Sequence, residues 1–178
     1  MKPLSLFLAV LLVCAPSPAR EPAVGRVATS SIEVFFSPRG GCTQAITAAL
    51  GKAKATVRVQ AYSFTSAPIA GAVVAAHRRG VNVQVILDKS QRTAQYSSAT
   101  FLSNAGVPTF IDTKHAIAHS KVLIIDGETV ITGSFHFSKA AAESNAENLL
   151  VITDRALAVK YTANWTEHFR HSEPYVGR

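Results

Sequence analysis

The run HSKVLIIDGETVITGSFHF, residues 119–137, restricts the fold more than any other stretch of the chain. Val122 and Ile124 alternate with Leu123 and Ile125, so an extended strand here is apolar on both faces. Such a strand belongs in the interior of a sheet covered on both sides. Asp126-Gly127 is a strong hairpin signal, after which the chain returns to Ser134 and His136. The polar pair His119 and Lys121 therefore stands at one end of the strand, where a sheet edge opens to a crevice. A two-residue loop at Asp126-Gly127 pairs Ile125 with Glu128 and sets His119 opposite Ser134. Slipping the loop to Gly127-Glu128 sets His119 opposite His136. Either register gathers His119, Lys121, Ser134 and His136 on one face within side-chain reach. A loop of odd length scatters them.

The rest of the chain supplies the layers. SIEVFF (31–36), TVRVQAYSF (56–64), VNVQVIL (81–87, ending at Asp88), VPTFI (107–111) and NLLVIT (148–153) read as strands. Between them lie a helix over 43–53 capped by Thr43, and one begun by Ser66 with Pro68 in its first turn and stopped by Gly80. A helix over 90–106 closed by Gly106, a small one near 138–144 and a closing one over 155–171 complete the set. The last carries Leu157, Tyr161, Trp165 and Phe169 at intervals of four, a stripe that belongs to core or interface rather than to a cofactor. Strands alternating with helices predict one α/β domain over residues 31–178, a mixed, mostly parallel sheet flanked by helices on both faces.

Residues 1–19 have the layout of a secretory signal peptide: Lys2, an apolar run from Leu4 to Ala15, then small residues ending at Ala19. The run is short for a membrane span, so no stable membrane anchor is expected after cleavage, and residues 20–30 form a flexible lead-in. Cleavage leaves 17 of the 18 basic residues against 11 acidic ones, a net charge of +6. That surplus suits a polyanionic partner. Cys14 leaves with the signal, and the remaining Cys42 permits neither an internal disulfide nor a cysteine-based zinc site. The expected location is the periplasm or the exterior.

The hairpin cluster joins a fixed cation, a titratable nitrogen and a hydroxyl, which is chemistry suited to a phosphodiester. A neutral imidazole can attack phosphorus and hold a covalent intermediate. Lys121 neutralises phosphate oxygens, while Ser134 and position 136 grip the charge that develops. No metal and no cofactor is required.

The same run resembles the His-x-Lys-x4-Asp-x6-Gly-Ser signature of the phospholipase D superfamily, through His119, Lys121, Asp126, Gly133 and Ser134. NAENLLVI (145–152) is similar to that family's following acidic element, with Glu147 at the acidic position. Upstream, VQAYSFTS (59–66) and RRGVNVQVILDKS (78–90) resemble the small bacterial Nuc-type endonucleases, so the likeness spans nearly the whole mature chain. The resemblance implies a phospholipase D-like fold and a metal-independent, sequence-nonspecific endonuclease cleaving DNA or RNA through a phosphohistidine. Larger members carry two motifs and this chain carries one, which implies a homodimer whose active site lies at the two-fold interface. In that scheme one His119 attacks phosphorus and His119 of the partner subunit protonates the leaving oxygen. Lys121 and Ser134 hold phosphate, Glu147 orients and supports His119, and Asp126, at the turn and roughly 20 Å from His119 by strand rise, is structural.

One departure stands out: the family pattern expects Asn where this chain has His136. Imidazole donates one hydrogen bond or carries a charge, so the phosphate grip is altered, weakened or pH-dependent. Two other functions therefore stay open: a phospholipase D-type lipid phosphodiesterase, and a catalytically weakened nucleic-acid-binding dimer. A metal site built from His115, His119 and His136 is a more distant alternative. Lys114 and His115 either line the groove or sit in a solvated loop, and His77, His168 and His171 read as solvated helix residues.

Overall fold

Val, Ile and Leu dominate the runs that pair most centrally, and these β-branched and apolar residues favour a pleated surface buried on both sides. The computed structural model describes residues 30–177; the expected signal peptide (1–19) and most of the expected lead-in lie outside them. The strands are β1 (Ser31–Phe36), β2 (Thr56–Ala61), β3 (Asn82–Asp88), β4 (Thr109–Asp112), β5 (Lys121–Ile125), β6 (Thr129–Gly133), β7 (Asn148–Thr153) and β8 (Ser172–Pro174). The helices are α1 (Cys42–Lys52), α2 (Ala67–Arg78), α3 (Ala99–Asn104), α4 (Lys139–Glu143) and α5 (Arg155–Arg170), with one 3-10 turn at Lys89–Arg92. The strands form a single sheet in the order β1-β7-β6-β5-β2-β3-β4-β8.

The sheet is mixed and covered on both faces, as the alternation of strands and helices predicts, but it is not mostly parallel. Only β2-β3 and β3-β4 pair in parallel; β1-β7, β7-β6, β6-β5, β5-β2 and β4-β8 are antiparallel. The reason is connectivity. Crossover helices enforce parallel pairing only between β2, β3 and β4, whereas the hairpin β5-β6 and the strands beside it turn back on themselves.

The helix expected over 90–106 is in fact the 3-10 turn, an irregular stretch and the short α3. Thr43 does not cap α1: Gly41 takes that position, and the Thr43 hydroxyl is buried without a hydrogen-bond partner. Ser66 does sit at the start of α2, but its side chain makes no capping bond.

Two cores follow from the two faces. On one, Ile46 and Leu50 of α1, Ile69 and Val73 of α2 and Leu102 of α3 pack on Val57, Val59, Val85 and Leu123. On the other, Trp165 and Ala158 of α5 cover Ile86, Val122, Ile124 and Val130, with Leu157, Tyr161 and Phe169 around them. The aromatic stripe is thus core, and the Trp165 indole also donates to the Val59 carbonyl at 3.0 Å. Each fully buried aliphatic or aromatic side chain contributes roughly 1.5–3 kcal/mol, so this one helix secures a whole face.

The hairpin register is neither of the two expected. Ile125 pairs with Thr129 and Val122 with Thr132, so the loop is the odd-length Asp126-Gly127-Glu128. Asp126 and Gly127 both take positive φ, 54° and 64°, and the Glu128 amide closes the turn on the Ile125 carbonyl at 3.0 Å. The Asp126 carboxylate fixes this loop from outside. It accepts the amides of Lys54, Ala55 and Thr56 at 2.9, 2.7 and 2.9 Å, which ties the turn to the start of β2. Burial works against its charge, but those amides and nearby Lys54 hold its pKa below the ordinary aspartate value.

Candidate active site

The carboxyl ends of β2, β3 and β6 and the starts of β5 and β7 meet at one sheet edge. Lys121 opens β5 opposite Ala61, and His119 lies two residues before it, in the approach to the strand rather than within it. The odd-length loop should have scattered the cluster, yet the cluster forms. Gly133 resolves the conflict: its φ of 148° breaks the β6 alternation in a bulge, and the amide of Phe135, two residues on, bonds the Asn148 carbonyl at 3.0 Å. Ser134 and His136 are thereby re-aimed toward the edge. Phe135 and Phe137, fully buried, alternate with Ser134 and His136 and anchor them.

A cleft of about 440 Å³ results, lined among others by His119, Lys121, Ser134, His136 and Tyr161. A larger hollow of about 690 Å³ lies near the Asp126 turn, but no nucleophile converges on it. Lys121 is buried, and its Nζ lies 2.8 and 3.0 Å from the two ring nitrogens of His119 and donates to the His119 carbonyl at 2.7 Å. The His119 ring is exposed, with its Nε2 3.4 Å from Nε2 of His136. The Ser134 hydroxyl accepts the Asn148 amide at 2.9 Å, which leaves its proton free to point at an anion.

Within one chain Glu147 reaches His136 rather than His119, which it was expected to support. Its carboxylate accepts the His136 amide at 2.6 Å, lies 3.3 Å from His136 Nδ1 and accepts the Asn145 side-chain amide at 2.8 Å. Burial raises the Glu147 pKa, but Asn145 and the amide and ring of His136 more than offset this, so it stays ionised below the usual glutamate range. The order within one chain is therefore Glu147, His136, His119. Lys114 and His115 are outside the cleft: the Lys114 amide and the His115 ring both turn to Asp112.

Two residues of the site carried no role in the sequence reading. Asp88, almost wholly buried at the end of β3, accepts the Ala118 amide at 2.7 Å and so fixes the backbone next to His119. A buried carboxylate at the carboxyl end of a parallel strand was the available signal. Tyr62 packs on His119 with ring centroids 4.7 Å apart, and Lys121 Nζ lies 5.8 Å above the Tyr62 ring.

The electrostatics suit nucleophilic attack. Partial desolvation, then the Lys121 and His136 charges, lower the His119 pKa below the ordinary imidazole value, while Asp88 acts the other way. Burial lowers Lys121 as well, opposed by Glu147. A neutral His119 is thus favoured to lower pH than for a free imidazole. Because the Lys121 cation disfavours imidazolium, Lys121→Met is expected to raise the His119 pKa. Titration of the His119 ring by NMR measures this; an unchanged or lower midpoint would remove Lys121 from the cause.

Comparison with known proteins agrees with this geometry. Residues 46–171 match the family model described as cardiolipin synthase, PLD-like domain. The chain belongs to the phospholipase D superfamily. It is 39% identical over 143 residues to a phospholipase D of Rickettsia prowazekii (strain Madrid E), an alignment covering 80% of this chain and 70% of that one. It is 30% identical over 123 residues to the mitochondrial cardiolipin hydrolase of Xenopus tropicalis, covering 69% of this chain and 59% of the relative. The solved structure of Nuc from Salmonella typhimurium, a phospholipase D family member, superposes with a TM-score of 0.81 at 36% identity, over 84% of this chain and all of that one. As a phospholipase D-superfamily member the chain is a phosphodiesterase, a hydrolase of phosphodiester bonds.

Proposed function

We propose that this phosphodiesterase is a metal-independent, sequence-nonspecific endonuclease, and that His119 is its nucleophile. The observation that carries the reading is the contact of an exposed, pKa-lowered imidazole with a buried lysine at an open sheet edge. His119 attacks phosphorus and expels one alkoxide oxygen, forming a phosphohistidine. Lys121 and the Ser134 hydroxyl hold the non-bridging oxygens. The leaving oxygen needs a proton, and water must then be activated to release the product. A second copy of the chain supplies both through its own His119, in a homodimer with the motifs facing across a two-fold axis. His136, backed by Glu147, donates to phosphate where an amide would otherwise stand.

The net charge of +7, with 18 basic against 11 acidic residues, supports a polyanion over a zwitterionic lipid. Among the described residues no helix is long and apolar enough to cross a membrane. The signal-like N-terminus supports action in the periplasm or outside the cell. A lipid substrate is the second reading, favoured by the names of the phospholipase D and cardiolipin hydrolase relatives.

The deciding experiment sets supercoiled plasmid in excess EDTA beside cardiolipin and phosphatidylcholine liposomes. Nicking in EDTA with no phospholipid turnover is expected. Lipid hydrolysis without nicking would replace the nuclease by the lipid enzyme.

A further inference from the structure

A second cluster of titratable side chains stands at the same sheet edge, three strands from β5, and the phosphodiester chemistry does not use it. β4 ends at Asp112, whose side chain is fully buried. His115 follows in the loop, His168 lies on the last turn of α5, and His171 stands just beyond that helix. Far from being solvated, the three imidazoles converge on the one carboxylate. His168 Nδ1 is 2.7 Å and His115 Nδ1 3.0 Å from Asp112 Oδ2, and His171 Nε2 is 3.3 Å from Oδ1. The rings pack on one another with centroids 4.7, 5.2 and 5.5 Å apart.

We propose that Asp112, His115, His168 and His171 form a binding site for a divalent transition-metal cation, best suited to Zn²⁺, that anchors the segment leading to His119. Each residue offers one donor atom, and the four donors all lie within 4.8 Å of one another. Tetrahedral Zn²⁺ with bonds of about 2.0–2.1 Å places its donors about 3.3 Å apart, so an ion needs only small side-chain movements here. Three imidazole nitrogens and one carboxylate oxygen favour Zn²⁺, Co²⁺ or Cu²⁺ over Mg²⁺ or Ca²⁺, which select oxygen.

Hydrogen bonding alone leaves the cluster incomplete. The His171 Nε2 atom is buried, and its 3.3 Å approach to Asp112 Oδ1 is too poorly aligned for a hydrogen bond, a deficit that native interiors rarely tolerate and that a metal bond would relieve. His115, with 42% of its side chain exposed, offers the entry path. The bound ion would cross-link β4, the loop after it and the end of α5. That loop runs on to Ala118, held by Asp88, and then to His119. The cation is therefore structural, and it contributes no step to phosphodiester cleavage.

The test uses the mature protein without a polyhistidine tag, stripped with chelator, dialysed and titrated with Zn²⁺ by calorimetry. Co²⁺ in parallel serves as a visible-absorption probe. One ion per chain, the d–d bands of a low-coordinate Co²⁺ site and a higher unfolding midpoint with Zn²⁺ are expected. His119→Ala, which breaks the one other close imidazole pair among the described residues, is expected to bind Zn²⁺ unchanged. His115→Ala, the variant least able to disturb folding, is expected to bind at least about tenfold more weakly, and His171→Asn likewise. Absence of saturable binding would overturn the site. So would binding that survives in both His115→Ala and His171→Asn, or that vanishes in His119→Ala. None of these readouts depends on nuclease activity, so failure here and failure of the nuclease reading are separable.

Discussion

His119→Ala is expected to lower phosphodiester turnover by at least about four orders of magnitude while leaving the unfolding midpoint unchanged. Both halves follow from where the residue sits. Its ring is exposed, so truncation opens no core cavity, and its backbone is held through Ala118 by Asp88 rather than through its own side chain. In the proposed mechanism the loss removes the atom that bonds phosphorus, and Lys121 and Ser134 then grip a substrate that His119 no longer attacks. One competitor exists: His136 Nε2 is 3.4 Å away and could approach the same phosphorus. Steady-state rates on a chromogenic phosphodiester, with thermal unfolding alongside, measure both effects. A loss under tenfold in His119→Ala, with collapse in His136→Ala, would transfer the nucleophile to His136.

Gly133→Ala is expected to destabilise the fold by at least about 3 kcal/mol and to lower the unfolding midpoint by about 10 °C. A Cβ at position 133 would lie 2.3 Å from the Asn148 carbonyl oxygen, a backbone atom in the paired strand β7 that cannot swing aside. The φ of 148° is also one that alanine adopts only under strain. Urea unfolding of the variant measures the loss. The activity should fall further than stability alone explains, because the same residue re-aims Ser134 and His136. A variant within about 1 kcal/mol of wild type would show that β6 can continue straight past this point, and the bulge would lose its importance.

The Gly-Ser step in the signature thereby acquires a mechanical reason that no pattern of apolar residues could reveal. The apolar alternation of Val122 to Ile125 placed β5 in the sheet interior, and the period-four stripe on α5 placed Trp165 in the core. Both are local consequences of side-chain spacing. The register of the hairpin is not local. It depends on Asp126 reaching the amides of Lys54 to Thr56, some seventy residues earlier, and the sequence between them carries no trace of that contact. The balance of parallel and antiparallel pairing is not local either: β2 and β5 are neighbours in space, but nothing in either strand records which way the other runs. His168 and His171 looked solvated because a helix end is usually wet; only the return of the chain in β8 beside β4 brings them onto Asp112. The family signature, by contrast, singles out His119, Lys121 and Ser134, and the acidic element after it Glu147, while the link from Glu147 to His136 emerges only from distances.

The pairing of β1 with β7 has a consequence for how the protein is made. Ser31 lies opposite Thr153, so the first of the described strands to leave the ribosome has its partner 122 residues behind it. Its outward side chains Ile32, Val34 and Phe36 are all more than half exposed even in the finished fold. Until β7 emerges, β1 is a sticky ribbon with nothing to join. Such a long-range closure slows folding and lengthens the interval in which chains can clump.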